Sequence, residues 1–105
     1  MEKISATQQE ILCNVAGKIW AKDGSNGLVT VIITNSSWVA KVANATYNSG
    51  TYTSEGNEFL CEITNKGRGT ANIGETGNAK VDKKIMTVYN FSDYWMNGTY
   101  SKVID

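Results

Sequence analysis

Residues 28–34 read LVTVIIT, and six of the seven side chains are β-branched. Branching at Cβ restricts χ1 in a helix and suits the pleated surface of a sheet, so the stretch predicts a strand. Ser25-Asn26-Gly27 before it is a turn, and Asn35-Ser36-Ser37 after it is a break. Strand character resumes over Trp38 to Ala43 and again over Ala45 to Thr53, interrupted at Asn48-Ser49-Gly50. Glu55-Gly56-Asn57 turns the chain. Glu58 to Thr64 then alternates Phe59, Cys61 and Ile63 against Glu58, Leu60 and Glu62, the pattern of a strand with one buried face. Asn65-Lys66-Gly67 turns again. Arg68 to Ile73 reads as a short strand, Gly74 to Lys80 as a polar loop, Lys84 to Phe91 as a strand, and Gly98 to Ile104 as the strand that closes the sheet. Short strands with a turn signal every ten residues or so predict a mainly β chain, an antiparallel sandwich or small barrel.

The N-terminal stretch differs. Residues 5–22, SATQQEILCNVAGKIWAK, read as one helix. Thr7 and Glu10 fit a capping box, and Ile11, Leu12, Val15, Ala16, Ile19 and Trp20 form an apolar stripe at helical spacing. Ile11, Cys13, Val15, Gly17 and Ile19 also alternate, as a strand would. The expected architecture is a single domain over residues 1–105, with one N-terminal helix packed on the β layer.

Composition narrows the function. Ten basic residues balance ten acidic ones, and no basic run grips phosphates, which argues against a nucleic-acid binder. No apolar run approaches the roughly 18 residues of a membrane span, and no signal peptide is visible, so the chain as written reads as cytoplasmic, with secretion by another route left open. With no histidine, the commonest general base is missing, and with two cysteines the soft metal ligands are too few. No cofactor, metal or catalytic set is expected. Glu58 and Glu62 share a strand face but read as solubilising charges. Cys13 and Cys61 read as buried free thiols in a reducing compartment, with one disulfide as the alternative. Gly67 and Gly69 lack the lysine-hydroxyl pair of a phosphate loop and read as a hairpin or bulge.

The C-terminal stretch 86–104, MTVYNFSDYWMNGTYSKVI, holds half of the aromatic residues. Tyr89, Phe91, Tyr94, Trp95 and Tyr100 are interleaved with Asn90, Ser92, Asp93, Asn97, Thr99 and Ser101. Such a surface suits a sugar ring or a lipid headgroup, because aromatic faces give apolar area and the neighbours give directed hydrogen bonds. The plainer reading is alternation in and out of a β core.

Val31 to Trp38, VIITNSSW, resembles the strand and turn of actinoporin-like cytolysins and the related fungal fruit-body lectins. Tyr47-Asn48-Ser49-Gly50 looks like the Tyr and Ser-Gly that follow in that family, and Gly67, Gly69, Gly74 and Gly77 are similar to its glycine-rich middle. Val88 to Val103 resembles its aromatic segment, although the family's proline there is missing and this chain stops short of its further strands and second helix. The resemblance implies a β-sandwich that binds phosphocholine headgroups or glycans, with Tyr89, Ser92, Tyr94, Tyr100 and Ser49 at the site and a pore-forming N-terminal helix.

The expected function is therefore a non-enzymatic binding module for a glycan or lipid headgroup. Its candidate contacts are Tyr89, Tyr94, Trp95 and Tyr100, with Ser92, Asp93, Asn97 and Ser49 for hydrogen bonds. Two alternatives come from other classes. One is a small protein antagonist that docks through Tyr and Trp anchors. The other is a homo-oligomeric structural subunit, which zero net charge and exposed β edges permit.

Overall fold

The computed structural model describes Val15 and residues 17–24, 27–68 and 71–103. Eight antiparallel strands follow one another in sequence order and close into a barrel. They are β1 (Lys18–Gly24), β2 (Gly27–Ile33), β3 (Ser37–Val42), β4 (Ala45–Glu55), β5 (Glu58–Lys66), β6 (Thr76–Asp82), β7 (Ile85–Tyr89) and β8 (Gly98–Lys102). The barrel shuts where β8 meets β1, with Lys102 opposite Trp20 and Ser101 opposite Ala21. Closure removes the sheet edges that a flat sheet of this kind would expose.

The alternation that predicts the strands also fills the barrel. Val29, Val31 and Ile33 of β2 point inward, as do Trp38, Ala40 and Val42 of β3 and Phe59 and Ile63 of β5. Trp20 and Tyr100, both fully buried, come from the two strands of the closing seam. An eight-stranded barrel is either filled by its own side chains or holds one small ligand. Here the residual interior space is about 30 Å3, lined by apolar side chains that include Val31, Trp38, Met86 and Phe91. That is roughly the volume one water occupies in the liquid. The interior of this barrel is a packed core.

Two irregularities curve the sheet. Register shifts between Ala40 and Lys41 against β4, and between Ser49 and Gly50 against β5. Each leaves an extra residue on one strand and increases local bend and twist. Gly50 sits at the second shift. A Cβ there would stand 1.7 Å from the Glu62 carbonyl oxygen, so the close approach of β4 and β5 requires glycine. Gly77 makes room of another kind: the Phe91 ring lies where its Cβ would be, at 2.2 to 2.4 Å. Phe91 thereby enters the barrel and packs edge-on against Trp38, with ring centroids 5.8 Å apart.

Three expectations change. The helix read over residues 5–22 is strand from Lys18 onward, because Trp20 turns inward as one member of a two-residue alternation and pairs across to Val31. Of the rest of that stretch, residues 5–14 and 16 lie outside the described residues; Val15 is buried against the barrel core. The polar loop read over Gly74 to Lys80 is mostly β6, whose inward side chains are the small Gly77 and Ala79 with Val81. Arg68 to Ile73 forms no strand among its described residues and belongs to the connection between β5 and β6. The barrel alternative, rather than the sandwich, is the one observed.

Among the described residues no helix is long and apolar enough to cross a membrane. The barrel itself turns its apolar side chains inward and Glu58, Glu62 and Lys80 outward, the reverse of a lipid-facing barrel.

Candidate functional site

The strand register builds a grid of side chains on the outer face of β4 to β7. One row runs Thr53, Leu60, Asn78, Tyr89, each directly opposite the next across a strand pair. The adjoining row runs Glu55, Glu58, Lys80, Thr87. Between them lies a groove of about 410 Å3 lined by Thr53, Ser54, Glu55, Glu58, Leu60 and Asn78, with Phe59 beneath. This volume falls within the roughly 300–1,000 Å3 of small-molecule sites, whereas the interior space does not. Leu60 gives the groove an apolar floor and is half exposed, at 49 %.

Tyr89 stands beside the groove and is tied to one of its lining residues. It starts on β7, and its hydroxyl donates to the Glu58 carboxylate of β5 at 2.9 Å. The side chain therefore reaches over β6, and a ring held at both ends is a ready stacking surface. The Glu58 carboxylate accepting that proton, with some desolvation, raises the Tyr89 phenol above its ordinary value. Asn90 continues the row, its amide donating to Asn78 Oδ1 at 3.0 Å. Ser92 then donates to Glu75, which also accepts the Asn72 backbone N–H at 2.6 Å. Three side-chain pairs thus run along β6: Tyr89 with Glu58, Asn90 with Asn78, Ser92 with Glu75.

The hydrogen bonds from Ser92 and Asn72 hold the Glu75 carboxyl below the usual glutamate range. A depressed folded-state value contributes stability above the unfolded value and loses it as pH falls through the folded one. We expect Ser92→Ala to move the Glu75 side-chain titration, followed by carbon NMR, up toward that of an ordinary glutamate. An unmoved midpoint would mean that Ser92 does not hold the carboxylate.

The loop of residues 90–97 is fixed from inside. Asn97 clasps Phe91, accepting its N–H at 3.1 Å and donating to its carbonyl at 2.9 Å. The buried Asp93 carboxyl accepts the Asn48 amide at 2.7 Å and the Ala71 N–H at 3.1 Å. Met96 N–H bonds to the Asp93 carbonyl and closes the 3-10 turn Tyr94–Met96. Lys22 donates to the Asn97 carbonyl at 2.9 Å. Trp95 meets Tyr47 edge-on at 5.2 Å, and Tyr94 stands out at 83 % exposure.

The residues singled out in the sequence thus separate. Tyr89 stands at the groove, and Ser92 at the end of the row along β6. Tyr94 and Trp95 are at the loop end of the barrel, and Ser49 lies on the outer face of β4 between Val39 and Asn65. Asp93 and Tyr100 are in the core: the Tyr100 hydroxyl donates to the Met96 carbonyl at 2.6 Å, and burial raises the phenol well above its ordinary value. Asn97 is used within its own loop. The eight do not form one surface. Among the described residues Cys61 has no disulfide partner, and burial pushes its thiol up to about 12, which keeps it protonated at neutral pH. Cys13 lies outside the described residues. Among the described residues, no group of three or more acidic or sulfur ligands could hold a metal.

Thr53, Glu58, Leu60 and Asn78 were not read from the sequence as site residues. They come from three strands and meet only through register, and alternation alone reports only that they face outward. No family model, curated protein or solved structure matches this chain.

Proposed function

We propose that this chain is a non-enzymatic carbohydrate-binding module that holds a glycan in the outer-face groove of β4 to β6, against Tyr89. The observation that carries the reading is the Tyr89 side chain, anchored by Glu58 beside a groove whose rim bears hydroxyl, amide and carboxylate groups and whose floor is Leu60. A sugar ring presents an apolar C–H face and a rim of hydroxyls. The C–H face stacks on an aromatic ring, and the hydroxyls take up Glu58, Asn78 and Thr53. Pre-set side chains reduce the ordering cost of binding. The test is an immobilised glycan panel probed with wild type and Tyr89→Ala. We expect wild type to retain at least one neutral glycan and the variant, shown folded by circular dichroism, to lose it. If wild type retains no glycan, the reading fails.

A second reading rests on the other end of the barrel. Tyr94 at 83 % and Ile73 at 65 % exposure stand on the two long loops there. An aromatic and an aliphatic side chain so exposed suit a lipid surface, in line with the headgroup binding that the cytolysin resemblance implies. Co-sedimentation with phosphatidylcholine and sphingomyelin vesicles, lost on Tyr94→Ala, supports that reading. No sedimentation sinks it.

A further inference from the structure

Resting on the carbohydrate reading, we infer that the ligand is a linear, uncharged oligosaccharide laid across the strands, with Tyr89 at one end of its track and Thr53 at the other. The row Thr53, Leu60, Asn78, Tyr89 crosses four strands, each residue directly opposite the next. Because the Tyr89 side chain reaches over β6 to Glu58, the track from its ring to Thr53 spans about two inter-strand spacings of ~4.8 Å, roughly 10 Å, enough for about two linked pyranose rings. A single ring on Tyr89 leaves most of the groove empty, since the residues that line it lie on β4, β5 and β6.

The chemistry changes along the track in a way that suits a chain. At the Tyr89 end the aromatic ring and the Glu58 carboxylate offer stacking and a strong acceptor. At the centre Leu60, half exposed, meets apolar C–H surface beside the Asn78 amide. At the far end the Thr53 hydroxyl can donate and accept. A ligand with a C–H face over Leu60 and hydroxyls toward Thr53, Asn78 and Glu58 matches this row, as successive rings of a linear oligosaccharide do.

Charge sets the second half of the inference. Glu55 and Glu58 face each other across the hairpin and both line the groove, with Lys80 beside Glu58. Two carboxylates against one ammonium leave the groove net negative. A uronic or sialic acid carboxylate in it meets like charge, and a neutral sugar does not.

The test is calorimetric titration with neutral cello-, chito-, malto- and manno-oligosaccharides of increasing length, beside sialylated and uronate chains of matched size. In the series that binds, affinity should rise about tenfold or more from one ring to two and then level off. Thr53→Val keeps the β-branched shape but removes the hydroxyl. It should lower disaccharide affinity about three- to tenfold and leave the monosaccharide unchanged. Tyr89→Ala should weaken every length, and Glu62→Gln, outside the groove, should change none. If a single ring binds as tightly as two, or Thr53→Val leaves every length unaffected, the extended track is wrong while the carbohydrate reading stands. If the acidic chains bind better than the neutral ones, the charge argument is wrong. If no neutral chain of any length binds, both readings fall.

Discussion

Gly50→Ala is expected to destabilise the barrel by roughly 3 kcal/mol or more, beyond the usual cost of overpacking a core. The new methyl would stand 1.7 Å from the Glu62 carbonyl oxygen and 2.8 Å from its carbon. Both are backbone atoms of the paired strand, so no side chain can swing aside. Relief requires β4 and β5 to part at the register shift that curves the sheet. A domain of this size is stable by about 5–15 kcal/mol, so the loss is a large share of the total. The expected fall in Tm is more than about 10 °C, read by thermal circular dichroism. An unchanged Tm would mean that β4 and β5 do not meet as closely as the barrel requires.

Asp93→Ala has the second largest expected effect, for a polar reason. Asp93 is buried and joins three parts of the chain: Asn48 on β4, Ala71 in the connection before β6, and the 3-10 turn through Met96 N–H. The substitution leaves the Ala71 N–H without its Asp93 acceptor and the Asn48 amide with only the weak Met96 thioether at 3.5 Å. An orphaned buried donor costs about 1–3 kcal/mol and the weakened Asn48 contact adds to it, so roughly 2 kcal/mol or more is expected in urea unfolding. Among the described residues Asn48 Oδ1 has no hydrogen-bond partner, so little slack remains at that position. Amide hydrogen exchange should speed up across residues 90–97 first, because the turn loses its anchor. A variant within about 1 kcal/mol of wild type would show that the cluster does not hold the loop.

Most of the barrel was legible as strands. LVTVIIT and Glu58 to Thr64 carry their inward positions on large or branched side chains, and there the reading and the structure agree. β6 was misread because its inward positions are Gly77, Ala79 and Val81. The alternation is present, but two of its three inward side chains are too small to weigh in a count of apolar residues. The N-terminal boundary failed for the opposite reason. Ile19 and Trp20 extend an apolar stripe at helical spacing, and only pairing with β2 and β8 turns them into strand. Closure itself was not readable, since it depends on two residue pairs between the first and last strands.

The candidate site was half legible. Tyr89 stood out as an aromatic among polar neighbours. Tyr100 and Asp93 looked the same in the sequence and went to the core, because the inward turn of β8 buries one and the Asn48 amide draws in the other. The partners of Tyr89 are set by register across three strands, which no local pattern encodes.

The most direct test of the account is a proton–nitrogen NMR titration of the wild-type protein with the neutral oligosaccharide that the panel selects. The groove reading predicts shifts concentrated at Thr53, Glu58, Leu60, Asn78 and Tyr89, with Tyr94, Trp95 and Ile73 unmoved. Shifts confined to Tyr94, Trp95 and Ile73, or no shift at any saccharide concentration, would contradict it.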